Sequence, residues 1–278
     1  MIKYIVSDLD GTLFKGHGDT IFDLTSENTE AICKAKEAGI HIAVASGRTY
    51  LHGKRILELN GYFDDVLCTG LNGSIIYDHG KLTHKKYLNQ DVCIRIINKL
   101  ASYENLFLNV QIQDLEEGRA YYYYDRKPSF KYKKECETLK IGIYEEISML
   151  DFIDKCEEIG KISITSLSKE DSFEIESILK DEFKDEIGYS RSSDVFLELH
   201  HKDSNKANFI KYIMDTYTVS KDEIATVGDS YNDRPMFECS GESFVLESGD
   251  SVAKEVAKHR VKDVAECIYK CIEMNKEG

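Results

Sequence analysis

Asp8 and Asp10 flank a single leucine in the stretch Ser7-Asp8-Leu9-Asp10-Gly11-Thr12, just after an apolar run. Two carboxylates so placed can hold a hard cation. Alternatively, one can attack an electrophile while the other moves a proton. The same residues also read as a plain turn, because Asp10-Gly11 between apolar residues can close a β-hairpin. Against the hairpin, the following "FKGHGDT" breaks into glycines and polar residues and offers no second strand. A second acidic group, Asp229 and Asp233 around Asn232 in "GDSYND", also follows an apolar run, with Asp229 or Ser230 as an ordinary helix N-cap for its alternative. Ser46-Gly47-Arg48 places a small hydroxyl and open backbone N–H groups before a helix, which suits a phosphate or a simple cap and turn. Lys206 opens another helix, where a lysine is ordinarily a solvated surface residue.

The elements that must position these residues alternate in type. Tyr4-Ile5-Val6 is a short, partly β-branched run suited to a buried strand. "TSENTEAICKAKEAG" predicts a helix capped by Thr25 or Ser26 and stopped at Gly39. Strand "IHIAVAS", helix "TYLHGKRILELNG" and strand "DDVLCTG" follow. Strands separated by helices argue for parallel βαβ units, whose ligands gather at the carboxyl ends of the strands. From about Ser74 the pattern changes to hairpins, first around Asp78-His79-Gly80 and then "LFLNVQIQD" with "GRAYYYYDR" around Glu116-Glu117-Gly118. Helix "MLDFIDKCEEIG", strand "KISITSL", helix "DSFEIESILKDEF" and strand "DVFLELH" complete this section. Helix "KANFIKYIMDTY", strand "EIATVGD", helix "YNDRPMFECS", strand "SFVLES" and terminal helices then restore the alternation. The expected fold is α/β: a doubly wound, parallel-sheet, Rossmann-like core over 1–83 and 199–278, interrupted by an α+β cap over 84–198.

In such a sheet four strand ends would present carboxylates, a hydroxyl and an ammonium to one crevice. Asp8 and Asp229 offer hard oxygens that suit Mg2+. The cation, Lys206 and backbone amides could then hold a phosphoryl group that Asp8 alone would repel. Asp8 becomes a nucleophile toward phosphorus, and Asp10 can protonate the leaving oxygen.

"DLDGTL", "ASGR", Lys206 and "GDSYND" resemble, in order, the four motifs of the haloacid dehalogenase superfamily. The insertion between the second and third motifs resembles the C2 cap of the Cof-like, subfamily IIB phosphatases. "LNGSIIYD", with Asn72 and Gly73, matches another signature of that branch. The resemblance implies an aspartyl-phosphate on Asp8, with Asp10 as acid and then base. Ser46, Gly47 and Lys206 would bind phosphate, and Mg2+ would lie on Asp8, the backbone carbonyl of Asp10, and Asp229. Asp233 would orient waters or Lys206, and Thr12, Arg48, Asn72, Gly73 and Asn232 would support the site or meet substrate. Ala207 stands where glycine is usual, and "VLESGDS" where relatives often carry Gly-Asn-Ala. In "RAYYYYDRKP" alternation puts two tyrosines on each strand face, as half-buried sheet residues or a stacking surface for a sugar or ring.

The expected function is therefore a Mg2+-dependent phosphatase acting on small phosphorylated metabolites, sugar phosphates foremost. Its rivals are a hexose phosphomutase of the same fold and a receiver-like module that binds phosphate without turnover. The 278 residues are 42% hydrophobic, enough for a substantial core. A net charge of −14 argues against nucleic acid or an anionic membrane as partner. No apolar stretch nears the ~18 residues of a membrane span, and no secretory segment opens the chain. The eight cysteines are scattered without a C-x-x-C pair and read as reduced thiols of a cytoplasmic protein.

Overall fold

The computed structural model describes residues 1–14, 24–61, 66–114, 119–124, 134, 136–144, 148–156 and 158–277. The chain forms two compact units. The first comprises Met1–Gly47, Ile56–His84 and Asn205–Gly278, and the second Arg48–Arg55 with Lys85–Ser204. Arg48–Arg55, expected within the first core segment, groups with the inserted residues, and the chain rejoins the first unit at Asn205.

In chain order the elements of the first unit begin with β1 (Tyr4–Asp8), α1 (Ser26–Glu37), β2 (His41–Ala45) and α2 (Tyr50–Leu59), whose first turns belong to the second unit. β3 (Cys68–Gly70), β4 (Ile75–Asp78) and β5 (Lys81–Lys85) follow. The second unit then contributes α3 (Gln90–Leu100), β6 (Leu106–Asp114), β7 (Arg119–Tyr124), β8 (Gly142–Tyr144) and α4 (Met149–Asp154). It ends with β9 (Ile159–Ser166), α5 (Lys169–Phe183), β10 (Ile187–Ser193) and β11 (Phe196–His201). The return to the first unit supplies α6 (Lys206–Tyr217), β12 (Ile224–Gly228), α7 (Arg234–Cys239), β13 (Glu242–Leu246), α8 (Ser251–Val256), β14 (His259–Val261) and α9 (Val264–Glu277).

The first unit is built on an eight-stranded sheet of order β14-β13-β12-β1-β2-β3-β4-β5. Pairs from β14 to β3 are parallel, and β3 meets β4 antiparallel. β1 and β12 are buried at every residue, which explains their unbroken apolar character in a sheet covered on both faces. Thr25 caps α1 by accepting from Asn28 N–H, and Gly39 beyond its end takes the left-handed φ of +74°. The Asp10-Gly11 turn closes no hairpin. Leu13 and Phe14 N–H return to Asp8 and Leu9 carbonyls at 3.3 and 2.9 Å, while β1 lies between two parallel neighbours. A hairpin turn does stand at His79-Gly80, both with positive φ, and joins β4 and β5 of this sheet.

The second unit is a six-stranded sheet of order β10-β11-β9-β6-β7-β8, antiparallel except for β7 with β8. One face is apolar. Leu106, Leu108 and Val110, Ile162 and Ile164, and Leu197 and Leu199 pack on Ile96 of α3, Phe152 of α4 and Ile175 of α5. Helix "MLDFIDKCEEIG" is shorter than expected: α4 stops at Asp154, because Ile159 pairs with Leu88 and Ile112 at the start of β9. Helix α3 and strands β8, β10 and β14 were not anticipated. The Glu116-Glu117-Gly118 turn, residues 125–128 and the side chains of Tyr121 and Tyr124 lie outside the described residues, as do 15–20 of "FKGHGDT". Six of the eight cysteines are buried, and all are free thiols. Among the described residues no helix is long and apolar enough to cross a membrane.

Candidate active site

The strand order determines which side chains meet. From β1 the chain moves to β2 and β3 on one side, and from β12 to β13 and β14 on the other. The boundary between β1 and β12 is thus the switch point of the sheet, where carboxyl ends leave a crevice. Asp8 closes β1 and Asp229 follows β12. Oxygens of Asp8, Asp229 and Asp233 lie within 4.8 Å of one another.

Lys206, the first residue of α6, is not solvated: it is 0% exposed. Its Nζ donates to Oδ1 of Asp8 and to Oδ1 of Asp233, both at 2.6 Å. The other Asp233 oxygen accepts the backbone N–H groups of Asp229 and Ser230, at 2.9 and 3.0 Å. Asp233 therefore spends both oxygens on holding its neighbours, and Ser230, not Asp229, caps the Tyr231–Asp233 turn. Gly228 makes room for this, since a Cβ there would meet the Asp233 carboxylate at 2.4 Å. Thr12 donates its hydroxyl to Asp229 Oδ1 at 2.9 Å. A Cβ on Gly11, whose φ is +82°, would lie 2.8 Å from Asp229 Oδ2.

The Leu71–Gly73 turn ties three parts of the first unit together. Asn72, in the left-handed region at φ 53°, donates its N–H to the Ser46 carbonyl at 3.1 Å. Its Oδ1 accepts from Asn232 Nδ2 at 3.2 Å. Gly73 lies against Asn205, the residue before Lys206: a Cβ would sit 2.1 Å from the Asn205 carbonyl oxygen, at a φ of +95°. Gly73→Ala is expected to cost about 3 kcal/mol of stability, from strain and from displacing the start of α6. A urea-unfolding midpoint equal to wild type would contradict this.

Ser46 is buried at the end of β2, and its N–H donates to Thr69. Gly47 is half-buried beside it, and Arg48 falls in the second unit, where its guanidinium bonds the His52 ring. Asp10 is exposed and stands outside the three-carboxylate cluster. Motif reading missed the loop after β13. Asp250 N–H donates to the Asp229 carbonyl at 2.8 Å, and Gly249 packs on that same oxygen. "SGDS" thus braces the backbone of Asp229, and its only sequence signal was the departure from Gly-Asn-Ala. Ala207 sits inside α6, where glycine is not required.

Charge in this cluster is unbalanced. Burial pushes Asp8 well above the usual carboxylate range; Lys206 opposes the rise, and Asp233, Asp229 and Asp10 add to it. Burial and then Asp233 raise Asp229 from 3.8 to about 6. Burial works against the Lys206 ammonium, but Asp233 and Asp8 outweigh it and hold its pKa above the ordinary value. Three carboxylates share one ammonium, which leaves two negative charges for a divalent cation to neutralise. The donor set is all oxygen, and Asp8 and Asp229 are the members whose carboxylates are not both committed to N–H donors. The residues fit such a cation.

A hydrolase of the haloacid dehalogenase-like family is the class that this fold and residue set define, and the chain belongs to it: the family's sequence model matches residues 5–272. Among curated relatives, a putative phosphatase of Mycoplasma genitalium, MG265, is 26% identical over 92% of this chain and 91% of its own length. The 5-amino-6-(5-phospho-D-ribitylamino)uracil phosphatase YwtE of Bacillus subtilis is 25% identical over 91% of each. A solved haloacid dehalogenase-like hydrolase from B. subtilis matches the fold with a TM-score of 0.81 at 21% identity, covering 96% of this chain and 99% of that one.

Proposed function

We propose that this chain is a phosphatase that hydrolyses small phosphate esters, sugar phosphates foremost, through an aspartyl-phosphate on Asp8 and with Mg2+ as cofactor. The observation that carries the reading is the buried Lys206 ammonium shared by Asp8 and Asp233 next to Asp229. The phosphatase names of the full-length relatives support it.

Asp8, Asp229 and the backbone carbonyl of Asp10 would hold the cation. When bound, it supplies positive charge that offsets the negative charge of the phosphoryl group and of the carboxylates. Lys206, the Ser46 hydroxyl and the Gly47 N–H hold phosphoryl oxygens and fix the group in front of Asp8. An Asp8 oxygen forms a bond to phosphorus as the bond to the alcohol oxygen breaks. Asp10, exposed where an alcohol can leave, gives its proton to that oxygen. It then takes a proton from the water that attacks phosphorus, which releases inorganic phosphate and restores the Asp8 carboxylate. A receiver-like module needs no acid for a leaving alcohol, so Asp10 favours turnover. The test is inorganic phosphate release from p-nitrophenyl phosphate and a panel of sugar phosphates with Mg2+. No release from any ester, or isomer formation in place of release, overturns the reading.

The electrostatics give a pH signature. In cation-free protein the folded state binds the Asp229 proton more tightly than the unfolded chain does. Its stability is therefore undiminished below pH 3.8, falls as pH rises toward about 6, and is lower above that by on the order of 3 kcal/mol. Asp8 acts in the same direction. Mg2+ offsets the penalty only where the carboxylates are ionised. The rise in melting temperature from chelator to Mg2+ is expected to be larger at pH 7.5 than at pH 5, and equal rises would count against the cation site.

A further inference from the structure

Asp229 is held at both ends of its backbone. Its N–H donates to Asp233 Oδ2 at 2.9 Å, and its carbonyl accepts the N–H of Asp250 at 2.8 Å. The second bond follows from the sheet. β12 and β13 are parallel neighbours, with Gly228 opposite Val245, so the loops after them leave from the same edge. The loop after β13 is also tight. Gly249 N–H donates to the Leu246 carbonyl at 2.8 Å. A Cβ on Gly249 would lie 2.8 Å from the Asp229 carbonyl oxygen and 3.0 Å from that of Leu246. Glycine is what lets the two backbones approach so closely there.

Asp250 also caps α8, since its Oδ1 accepts the Ala253 N–H at 2.7 Å. Capping accounts for one oxygen only. Oδ2 is buried and has no hydrogen-bond partner among the described residues. An uncharged cap would serve α8 as well, because serine and asparagine cap about as strongly as aspartate. A buried carboxylate oxygen without a donor is costly, and the surroundings add to the cost. Burial raises the Asp250 pKa, nearby backbone N–H groups oppose the rise, and Asp233 adds to it. Behind burial and Asp233, Asp250 in turn helps to raise Asp229. The loop thus brings a further acid to a cluster whose three carboxylates already share one ammonium.

We propose that Asp250 is a positioning residue of the cation site: its N–H fixes Asp229, and its carboxylate strengthens the hold on a divalent cation. The proposal rests on the Mg2+-dependent reading above. Asp250 is outside the group of oxygens that lie within 4.8 Å of one another, so it acts from beyond the ligand set. Attraction between charges falls only as the inverse of distance, and it is stronger in a site withdrawn from water. A bound cation gives the Asp250 charge the counterpart that no basic side chain supplies to either oxygen. The cost of placing that charge there is offset when the cation binds.

Calorimetric titration of the full chain with Mg2+ at pH 7.5, with no ester present, tests this. Asp250→Asn keeps an acceptor for the Ala253 N–H and the backbone bond to Asp229, and removes the charge. Its Mg2+ dissociation constant is expected to rise about tenfold. Its cation-free melting temperature should be no lower than that of wild type, because one crowded acid is gone. Asp250→Glu keeps the charge and disturbs the cap, and should bind Mg2+ within about threefold of wild type. A role confined to capping α8 would leave the Mg2+ affinity of Asp250→Asn unmoved, and that result overturns the proposal. So does an Asp250→Glu chain that loses as much affinity as Asp250→Asn. If Asp250→Glu does not fold, Asp250→Ser takes its place as a second uncharged cap, and wild-type affinity there overturns the proposal. A wild-type chain that binds no Mg2+ overturns the cation site together with the proposal, whereas wild-type binding unchanged in Asp250→Asn overturns the proposal alone. Phosphate release from p-nitrophenyl phosphate judges the phosphatase chemistry separately.

Discussion

Asp8→Asn is expected to lower phosphate release by about 10^4-fold with the fold intact. Asparagine has the same shape, and its Oδ1 still accepts from Lys206 where the carboxylate does at 2.6 Å. It offers no anionic oxygen to attack phosphorus. It also removes one of the crowded buried carboxylates, so the cation-free variant should melt no lower than wild type at pH 7.5. Rates within tenfold of wild type, measured on p-nitrophenyl phosphate with Mg2+, would exclude Asp8 as the nucleophile.

Lys206→Met is the second large effect, and it falls on stability as well as activity. Methionine fills much of the lysine volume, so packing is largely kept. Asp8 and Asp233 are then left facing each other in a site where Lys206 had no exposed surface. Removing one member of a buried, hydrogen-bonded ion group costs about 4 kcal/mol. Urea unfolding should show that loss at pH 7.5 and a smaller one at pH 5, because burial raises the Asp8 pKa and a lower pH favours its neutral form, which relieves the repulsion. An equal loss at both pH values would assign the cost to packing. Activity should be lost as well if the ammonium holds phosphoryl oxygens as proposed.

Strand ends in the first unit were legible because its central strands are buried on both faces and read as unbroken apolar runs. Each such run ends abruptly in acids or Ser-Gly, so Asp8, Ser46 and Asp229 could be placed before any geometry was known. Asp233 was visible as a nearby acid, but its double duty was not, because backbone N–H acceptance leaves no trace in spacing. The burial of Lys206 is likewise a tertiary fact: nothing in "NKAN" distinguishes it from a surface lysine. Asn72-Gly73 was recognisable as a signature, yet its reason, a glycine beneath Asn205 and an amide bridging to Asn232, appears only in three dimensions.

Other omissions have different causes. Helix α3 had a usable signal, with an Asn89 cap and Val92, Ile96 and Leu100 on one face. Strand β10 had little, because "IGYSRSS" mixes small and charged residues at a sheet edge. The polar face of the second sheet was unreadable for a similar reason. Gln111, Ser163 and His200 alternate with apolar residues as solvent-facing ones would.

The place of β1 between β2 and β12 bears on how the protein is made. Thr12, just past the end of β1, touches Asp229, 217 positions further along the chain. A nascent chain that has emerged only through β11 still lacks β12, the partner of one edge of β1. That edge is a template for pairing with other chains until β12 is synthesised. All residues of the second unit have been made by Ser204, while β12, β13 and β14 of the first unit's sheet are still to come. During translation the acidic cluster can therefore form only after Asp229 and Asp233 have been made, late in the chain.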